Sequence, residues 1–392
     1  MRILIAFDKF KDALTAIEAC RVAAETLATT HPEWEIETAP LADGGDGFCD
    51  TLTGFLDGKF HHASVAGPLG QATQARFGIV SKFRLQNPAQ SLLRFQESTR
   101  KIAIIEMAES SGIALTPIRN RSPWTTSSAG LGDLIANAVE HGAQGAIVGL
   151  GGSATHDLAL GALERLGFSF LDAQGQELAG SPIPERWAKI ASIDASGSIL
   201  PDDFEIRLAC DVENPLLGPT GAAAVFGPQK GLTPERFDEL EASTRRLAGL
   251  LCAACAVQPK SMDTPGAGAA GGAAFGLQTG LGASIVSGYE LVKAWIGLTP
   301  KFERADCIVT GEGRFDASSL HGKGPGALAL ETIRADKRLQ VFAGSLGELE
   351  NAPIPSDCLA AISPIDLPLE AALRATRENL ARALRSTFGQ TD

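Results

Sequence analysis

Short apolar runs alternate with helix-period segments along most of the chain. Residues 3–7 form an apolar run typical of a buried strand, and residues 35–38, which precede Pro40, have the pattern of a second strand. The segment between them begins with Thr15 and has Glu18 three residues later, the capping box that starts a helix. Strand, helix, strand and helix in this order predict the start of a doubly wound α/β sheet.

The pattern changes in the middle of the chain and returns near its end. From about residue 61 the predicted strands are shorter, and after residue 293 the alternation of strands and helices resumes. Further predicted strands cover residues 101–107, 143–150, 306–310, 339–344 and 358–364, and further predicted helices cover residues 128–139, 326–333 and 369–385. No internal repeat of fixed period is present.

This order of elements predicts an α/β fold with two domains. Residues 1–62 and 290–392 form a discontinuous, Rossmann-like doubly wound domain. Residues 63–289 form a second, inserted α/β domain, and residues 81–100 within it are polar enough to predict a surface insertion. We expect the functional site in the cleft between the two domains.

Charged residues and glycines gather where the predicted strands end. The clearest case is the run 307–310, which continues into Gly311 and Gly313 with charged residues at every second position. In open α/β sheets the ligand crevice lies just beyond the carboxyl ends of the strands. A salt-bridged surface loop is the alternative, although a solvated loop does not need glycines that let the backbone approach a ligand. The polar residues at these exits are Asp8, Lys11, Asp43, Asp46, Ser153, Thr155, Asp157, Asp211, Asn214, Lys230, Glu312, Arg314, Asp316 and Lys323.

Composition excludes several classes of protein. The 392 residues are 44% apolar and carry a net charge of −12, so we expect a large core and no binding to nucleic acid or to an anionic membrane surface. The amino-terminal apolar run is too short for a signal peptide, which leads us to expect a cytoplasmic protein. Seven scattered cysteines do not predict a disulfide framework, and Cys252 and Cys255 fall in a segment typical of a buried helix.

The residue types at the strand exits favour phosphoryl transfer from a magnesium nucleotide. Carboxylates suit Mg²⁺, lysine and arginine offset phosphate charge, and glycine turns hold phosphate oxygens. A Gly-x-Ser-x-Gly elbow, a His-Glu-x-x-His pair and a Walker A motif are all absent from the sequence. Residues 266–271 match G-x-G-x-x-G, but no strand pattern precedes them, so we expect these glycines to let a helix and a ligand, or two backbones, come close. A nicotinamide-dependent oxidoreductase and a nucleotide-sensing binding protein remain the alternatives.

Seven motifs, in the same order and over nearly the whole chain, resemble those of the bacterial type I glycerate kinase family. They are residues 8–16 (Asp-Lys-Phe-Lys to Leu-Thr-Ala), 42–47 (Ala-Asp-Gly-Gly-Asp-Gly), 151–155 (Gly-Gly-Ser-Ala-Thr), 209–216 (Ala-Cys-Asp-Val-Glu-Asn-Pro-Leu), 226–231 (Phe-Gly-Pro-Gln-Lys-Gly), 266–272 (Gly-Ala-Gly-Ala-Ala-Gly-Gly) and 310–316 (Thr-Gly-Glu-Gly-Arg-Phe-Asp). The resemblance implies ATP-dependent phosphorylation of glycerate, with the 2-phosphate favoured as product. The alternative within the same class is a kinase that gives 3-phosphoglycerate or acts on another small hydroxy acid or sugar acid. It also implies a Rossmann-like domain with an inserted α/β domain.

The chain departs from the pattern of that family at two places in these motifs. Asp46 stands where the family usually has Glu, and His156-Asp157-Leu158-Ala159 stands where it has Asn-Asp-Gly-Gly. Asp46 keeps the charge with a shorter reach. The loss of both glycines predicts that the backbone after Asp157 is less able to approach a ligand.

Each candidate residue has an expected role. The candidate catalytic residues are Asp43, Glu312, Asp316, Lys11 and Asp211, and the candidate substrate- or phosphate-binding residues are Asp8, Gly44, Gly45, Ser153, Thr155, Asp157, Asn214, Lys230, Arg314 and Lys323. Asp43 and Glu312 are the expected Mg²⁺ ligands, with ATP and glycerate as the small-molecule partners. For Asp43, Ser153 and Thr155 the alternative is a helix N-cap. The sequence leaves open the enantiomer, the phosphorylated hydroxyl, the identity of the base, the domain that binds ATP and the oligomeric state.

Overall fold

The structure is a computed structural model that describes residues 1–82, 85, 91–320, 324–349, 353–364 and 367–389. In these ranges the strands are β1 (Arg2–Phe7), β2 (Glu35–Thr38), β3 (Lys59–Ala66), β4 (Ala72–Ser81), β5 (Lys101–Glu106), β6 (Gly145–Gly149), β7 (Ser169–Leu171), β8 (Ser192–Asp194), β9 (Glu205–Ala209), β10 (Ser284–Val286), β11 (Cys307–Phe315), β12 (Arg338–Leu346) and β13 (Leu359–Ala361). The α-helices are α1 (Ala16–Thr30), α2 (Phe48–Phe55), α3 (Met107–Ser111), α4 (Ala129–Glu140), α5 (Leu160–Arg165), α6 (Ala222–Phe226), α7 (Phe237–Ala254), α8 (Ala269–Leu281), α9 (Gly288–Trp295), α10 (Leu298–Arg304), α11 (Gly324–Arg334), α12 (Leu369–Arg374) and α13 (Thr376–Phe388).

The first sheet is parallel throughout and has the strand order β13-β12-β11-β1-β2. Ile5, in the middle of β1, pairs with Val309 of β11 on one side and with Thr38 of β2 on the other. The odd-numbered residues of β1 pack against α1 and α13, and the even-numbered residues face α2 and α9. A strand buried on both faces needs a continuous apolar run, and residues 3–7 supply it.

The second sheet has the strand order β10-β9-β6-β5-β4-β3. The four strands from β10 to β5 are parallel, and β4 and β3 add to them as antiparallel strands. In β5, Ala103 and Ile105 pack with α4 and α8, whereas Ile102 and Ile104 face α2. The strands β7 and β8 form a separate antiparallel pair. The mixed α/β class predicted from the sequence is confirmed.

Helices α2 and α9 lie between the two sheets. One hydrophobic cluster contains Leu4 of β1, Ile104 of β5, Leu52 of α2 and Trp295 of α9. The indole Nε1 of Trp295 donates a hydrogen bond of 3.0 Å to the carbonyl oxygen of Leu52. The two sheets therefore share a packed core. Strand β3 belongs to the second sheet from Lys59 onward, and the predicted domain boundaries at 62/63 and 289/290 stay a prediction.

Several element boundaries differ from those that the sequence predicts. The strand expected to end at residue 310 continues to Phe315, because Gly311 pairs closely with β12 and a Cβ there would lie 1.7 Å from the carbonyl oxygen of Phe342. The single helix expected over residues 369–385 is two helices, and Leu369 at its start is exposed. The expected surface insertion at 81–100 lies partly outside the described residues, and its described Leu93 is buried in the shared core.

Candidate active site

A cleft with two arms lies where the carboxyl ends of both sheets meet. The small arm, of about 440 Å³, is lined by Lys9, Lys11, Asp43, Gly45, Asp46, Ile113, Leu150, Gly151, Gly152, Ser153, Ala209, Cys210, Asp211, Val212, Phe226, Gln229, Lys230, Ala269 and Ala270. The large arm, of about 920 Å³, is lined by Asp8, Lys9, Phe10, Lys11, Asp12, Asp43, Glu312, Gly313, Arg314, Gly344, Ser345, Leu346, Ala361, Ser363, Pro364, Leu367, Leu369, Ala372, Leu373 and Thr376. The two arms share three residues, Lys9, Lys11 and Asp43, which we call the junction.

The exit of β1 supplies two buried charges beside the junction. Asp8 is 5% exposed, and burial raises its pKa to about 7 despite the nearby ammonium of Lys9. Lys9 Nζ lies 3.8 Å from Asp8 Oδ1. Burial lowers the pKa of Lys9, but the carboxylates of Asp8, Asp43 and Asp46 outweigh burial and raise that pKa above its ordinary value. Lys9 therefore stays protonated.

Lys9 is a site residue that the sequence did not predict, although the motif at residues 8–11 contains it. Under a strict alternation of side chains after β1, Lys9 and Lys11 would lie on the same face, because they are two residues apart. The structure brings both lysines to both arms. Lys11 Nζ also lies 3.8 Å from Asp46 Oδ2, so Asp46 reaches the junction despite its shorter side chain.

The loop after β2 carries Asp43 and connects the two sheets. Gly44 has a φ of +86°, and a Cβ there would lie 2.8 Å from the carbonyl oxygen of Ala209 at the end of β9. The carbonyl oxygen of Gly44 accepts a hydrogen bond of 3.0 Å from the N–H of Gly151, which follows β6. Gly44 thus holds three strand exits together. Its predicted contact with a ligand stays a prediction, whereas Gly45 lines the small arm.

The N-cap alternative for Asp43 is wrong. Helix α2 begins at Phe48 with Gly47 in the cap position, and Asp43 Oδ1 accepts a hydrogen bond of 3.1 Å from the N–H of Gly45. The first N–H groups of α2 are instead satisfied from the second sheet. Glu106, at the end of β5, accepts hydrogen bonds from the N–H groups of Gly47 and Cys49 at 3.2 and 2.7 Å.

The exit of β9 places Asp211 in the small arm and leaves Asn214 outside both arms. Asp211 accepts hydrogen bonds from Ser287 Oγ at 2.8 Å and from the N–H of Tyr289 at 3.0 Å, so its carboxylate also fixes the start of α9. Burial raises the pKa of Asp211 to about 6. The side-chain amide of Asn214 donates to the carbonyl oxygen of Thr220 at 2.8 Å, which is a local turn contact.

The glycine-rich exit of β6 contacts a buried lysine. Lys230 is 2% exposed, and its Nζ donates to Ser153 Oγ at 3.0 Å and to the carbonyl oxygen of Thr155 at 2.7 Å. Burial lowers the pKa of Lys230 to about 7. Ser153 lines the small arm, and the side chain of Thr155 is fully buried. Neither is a helix N-cap, because α5 begins only at Leu160.

Asp157 lies behind the cleft and not in its lining. Its Oδ2 accepts hydrogen bonds of 2.7 Å from both the N–H and the Oγ of Ser128, at the start of α4. Leu158 and Ala159 have φ values of +55° and +54°, the left-handed conformation that glycine adopts at least cost. The backbone after Asp157 therefore keeps a conformation that favours glycine, although Leu158 and Ala159 occupy it.

The exit of β11 supplies Glu312 and Arg314 to the large arm. Asp316 lies outside both arms, and hydrogen bonds from Ser318 and from Arg314 lower its pKa to about 2. Ser318 Oγ donates to Asp316 Oδ1 at 2.6 Å, and Arg314 Nε donates to Asp316 Oδ2 at 3.0 Å. Lys323 lies outside the described residues.

The G-x-G-x-x-G run is a packing element, as predicted. The residues before it, Pro259–Asp263, form a 3₁₀ helix and not a strand. A Cβ at Gly268 would lie 2.3 Å from the carbonyl oxygen of Pro215, and a Cβ at Gly271 would lie 2.1 Å from that of Thr155. These glycines let the start of α8 approach the exits of β6 and β9.

The carboxylates beside the junction fit a magnesium–nucleotide complex. Within the described residues no group of three His, Cys, Asp or Glu side chains is arranged to hold a metal ion. Magnesium bound with a nucleotide needs only one or two protein carboxylates, since phosphate and water oxygens complete its shell. Burial is the largest cause of the raised pKa of Asp8, and the negative charges of Asp43 and Glu312 raise it further. All three carboxylates line the large arm, where a metal ion bound with a nucleotide would need one or two of them.

The two sheets of this α/β protein direct lysines, carboxylates and glycine turns into one cleft. This arrangement is that of an enzyme that acts on anionic substrates. The chain belongs to the glycerate kinase family, which it matches over residues 3–391. None of its described helices is both long and apolar enough to cross a membrane.

Named relatives cover nearly the whole chain. It is 36% identical over 389 residues to the glycerate kinase of Bacillus subtilis strain 168, covering 98% of this chain and 96% of that protein. It is 36% identical over 393 residues to the glycerate 2-kinase of Escherichia coli K12, covering 98% and 97%. The crystal structure of a provisionally named glycerate kinase 2 from Salmonella typhimurium LT2 matches with a TM-score of 0.78 at 33% identity, covering 98% of this chain and 96% of that one.

Proposed function

We propose that the protein transfers the γ-phosphoryl group of magnesium-bound ATP to D-glycerate and gives 2-phospho-D-glycerate. The observation that carries this proposal is the junction, where Lys9, Lys11 and Asp43 face both arms of the cleft. A phosphoryl transfer needs the donor and the acceptor to meet at such a shared point. The E. coli relative named glycerate 2-kinase supports the 2-hydroxyl as acceptor.

The large arm suits ATP. It lies at the carboxyl end of a parallel sheet, where open α/β proteins bind nucleotides. Its lining includes Arg314 and the apolar side chains of Leu346, Leu367 and Leu373, which suit an adenine ring. About 920 Å³ is ample for a nucleotide, whereas the small arm of about 440 Å³ suits a three-carbon acid and its surrounding water.

The chemistry follows from this placement. Asp43 accepts the proton of the glycerate hydroxyl, the hydroxyl oxygen forms a bond to the γ-phosphorus, and the bond from that phosphorus to the β,γ-bridging oxygen breaks, so that ADP leaves. Lys9 and Lys11 offset the negative charge on the transferring group. Magnesium, held by Glu312 with Asp8 or Asp43, would neutralise the phosphate oxygens.

Asp211 is a positioning residue in this scheme. Its carboxylate is occupied by Ser287 and by the N–H of Tyr289, and it lies on the wall of the small arm. It therefore fixes the start of α9 beside the loop that carries Asp43. A Cβ at Gly288 would lie 2.7 Å from the carbonyl oxygen of Asp43, which shows how closely this loop and α9 pack.

The test is ADP release from ATP and Mg²⁺ with D-glycerate or L-glycerate, with the product resolved by phosphorus NMR. Turnover on D-glycerate that gives a 2-phosphate resonance supports the proposal. A 3-phosphate resonance would support the kinase activity and show that the acceptor is the 3-hydroxyl. No ADP above the level without acceptor, for either enantiomer, would contradict the proposed function. Omission of Mg²⁺ in the presence of a chelator is the control for the metal, and it should abolish turnover.

A further inference from the structure

The buried pair of Ser153 and Lys230 lines the small arm together with the junction residues. The basic residues that line this arm in the described chain are Lys9, Lys11 and Lys230. Two of them belong to the junction, where the phosphoryl group transfers under the proposed function. Lys230 is the remaining cation, and it comes from the 3₁₀ helix Pro228–Lys230 on the side of the second sheet.

Lys230 does not present its ammonium openly to the cleft. Only 2% of its surface is exposed, and its Nζ donates hydrogen bonds to Ser153 Oγ at 3.0 Å and to the carbonyl oxygen of Thr155 at 2.7 Å. Its charge therefore acts on the arm through these two groups. An ammonium group can only donate, so Ser153 Oγ is the acceptor in this contact. The hydroxyl hydrogen of Ser153 is then left to be donated to another acceptor, and Ser153 lines the small arm.

This arrangement is suited to an anion. A hydroxyl that accepts from a cation is a polarised donor, and hydrogen bonds to charged partners are roughly twice as strong as neutral ones. The preceding residues, Gly151 and Gly152, keep bulky side chains away from the same wall. A three-carbon hydroxy acid has one permanent anion, its carboxylate, and under the proposed function its hydroxyl must reach Asp43, which lines the same arm.

We propose that Ser153 binds the carboxylate of the acceptor acid and that Lys230 is the positioning residue that orients and charges this contact. This inference rests on the proposed function, because it places the acceptor in the small arm. It assigns to Lys230 an indirect role in place of the direct substrate or phosphate contact that the sequence offers as one of two alternatives, the other being a surface position. Arg314, a candidate substrate- or phosphate-binding residue, lines only the large arm and so does not contact the acceptor carboxylate in this arrangement.

The titration of Lys230 makes the contact dependent on pH. Burial lowers its pKa to about 7, and the carboxylate of Asp157 opposes this shift. His156, on the same segment, stays neutral because burial and then the charge of Lys230 lower its pKa to about 3. The remaining charged groups that face the small arm are Lys9, Lys11, Asp43, Asp46 and Asp211. Lys230 is charged below its pKa, so affinity for the acid should be high at pH 6 and fall as pH rises.

The experiment measures binding of D-glycerate by calorimetry without ATP, together with KM and kcat for D-glycerate, at pH 6 and pH 8. For the wild-type protein we expect the dissociation constant to rise about tenfold between these pH values. For a pKa near 7, the charged fraction of Lys230 at pH 6 is about tenfold that at pH 8. Lys230→Met should remove this rise, and Ser153→Ala should weaken binding about tenfold or more at pH 6. Ser153→Thr, which keeps a hydroxyl, should restore most of the affinity. KM for ATP should change little in all three variants.

The matched control is Thr126→Val. It removes a buried hydroxyl that donates at 3.2 Å to the carbonyl oxygen of Ala154, the residue after Ser153. Neither Thr126 nor Ala154 lines either arm. Thermal unfolding of each variant separates misfolding from loss of the contact. Unchanged affinity in Ser153→Ala, or an unchanged pH dependence in folded Lys230→Met, overturns the inference while the kinase activity stands. Binding of D-glycerate that depends on Ser153 without turnover overturns the proposed function alone, and a wild-type protein that does not bind D-glycerate overturns both.

Discussion

Glu106 Oε1 accepts a hydrogen bond of 2.7 Å from the N–H of Cys49, 57 residues earlier in the chain. A carboxylate from the second sheet thus caps the helix that follows the loop of Asp43. Helix α2 has no capping side chain of its own, because Gly47 occupies the N-cap position. The position of the proposed base therefore depends on a residue of the other sheet.

Replacement of Glu106 should weaken this connection. We expect Glu106→Ala to lower the free energy of unfolding by about 1–2 kcal/mol, the usual cost of a lost cap, and to lower kcat more than it raises KM, because Asp43 loses its alignment. Chemical denaturation and steady-state kinetics measure the two effects. The control is Glu140→Ala, an exposed glutamate at the end of α4. Equal stability of both variants would contradict the capping role.

The stability of the protein should fall as pH rises from about 4 to about 7. Burial raises the pKa of Glu106 to about 7, of Asp8 to about 7 and of Asp211 to about 6. A carboxyl group whose pKa is higher in the folded state binds more protons there than in the unfolded chain across this interval, so ionisation costs folding free energy. Glu106→Gln should make the dependence shallower. Denaturant titrations at half-unit pH intervals measure it, and a slope as steep as that of the wild type would contradict this origin.

Asp43→Asn should lower kcat for D-glycerate by about 100-fold or more, the usual scale for loss of a general base. The amide keeps the shape of the side chain and can still accept the hydrogen bond from the N–H of Gly45. The comparison variant is Asp316→Asn, because Asp316 lies outside both arms and its carboxylate is occupied by Ser318 and Arg314. Similar losses of ADP release in both variants would contradict the role of Asp43 as the general base.

Lys9→Met should lower kcat by about 100-fold, the scale on which preorganised charge stabilises a transition state. The surrounding carboxylates keep the pKa of Lys9 above its ordinary value, so Lys9 is charged throughout pH 6 to 9 and the loss should be present across that range. Lys260→Met, at an exposed position, is the control. The pH–rate profiles measure this effect, and a loss confined to one end of the range would indicate that another group is responsible.

Gly44→Ala should destabilise the protein more than Gly70→Ala. Both glycines have a positive φ, +86° and +82°, so both variants carry the cost of about 1–2 kcal/mol for an L-residue in that conformation. Only Gly44 is also crowded, with the carbonyl oxygen of Ala209 at 2.8 Å from an added Cβ, whereas nothing lies within 4 Å at Gly70. The difference between the two variants in unfolding free energy and in ADP release measures the effect of the close approach of Gly44 to Ala209. Equal values would mean that the loop moves freely away from β9.

The sequence by itself determined the local elements and the chemistry at their ends. The apolar run of β1 and the capping box of α1 are local patterns, and Thr15 and Glu18 form both reciprocal hydrogen bonds in the structure. Seven collinear motifs were enough to indicate the family. These local patterns predict the structure well because side-chain period, capping and turn chemistry act over a few residues and do not depend on distant partners.

Only the tertiary structure decided which strand exits meet. Asp157 and Asp316 look like site residues in the sequence, yet both side chains are taken up by serines outside the cleft. Lys230 and Glu106 act through partners 77 and 57 residues away, and neither partner could be identified from spacing. Burial and long-range hydrogen bonds set the charge states and directions of these groups, and both depend on how the two sheets pack against each other.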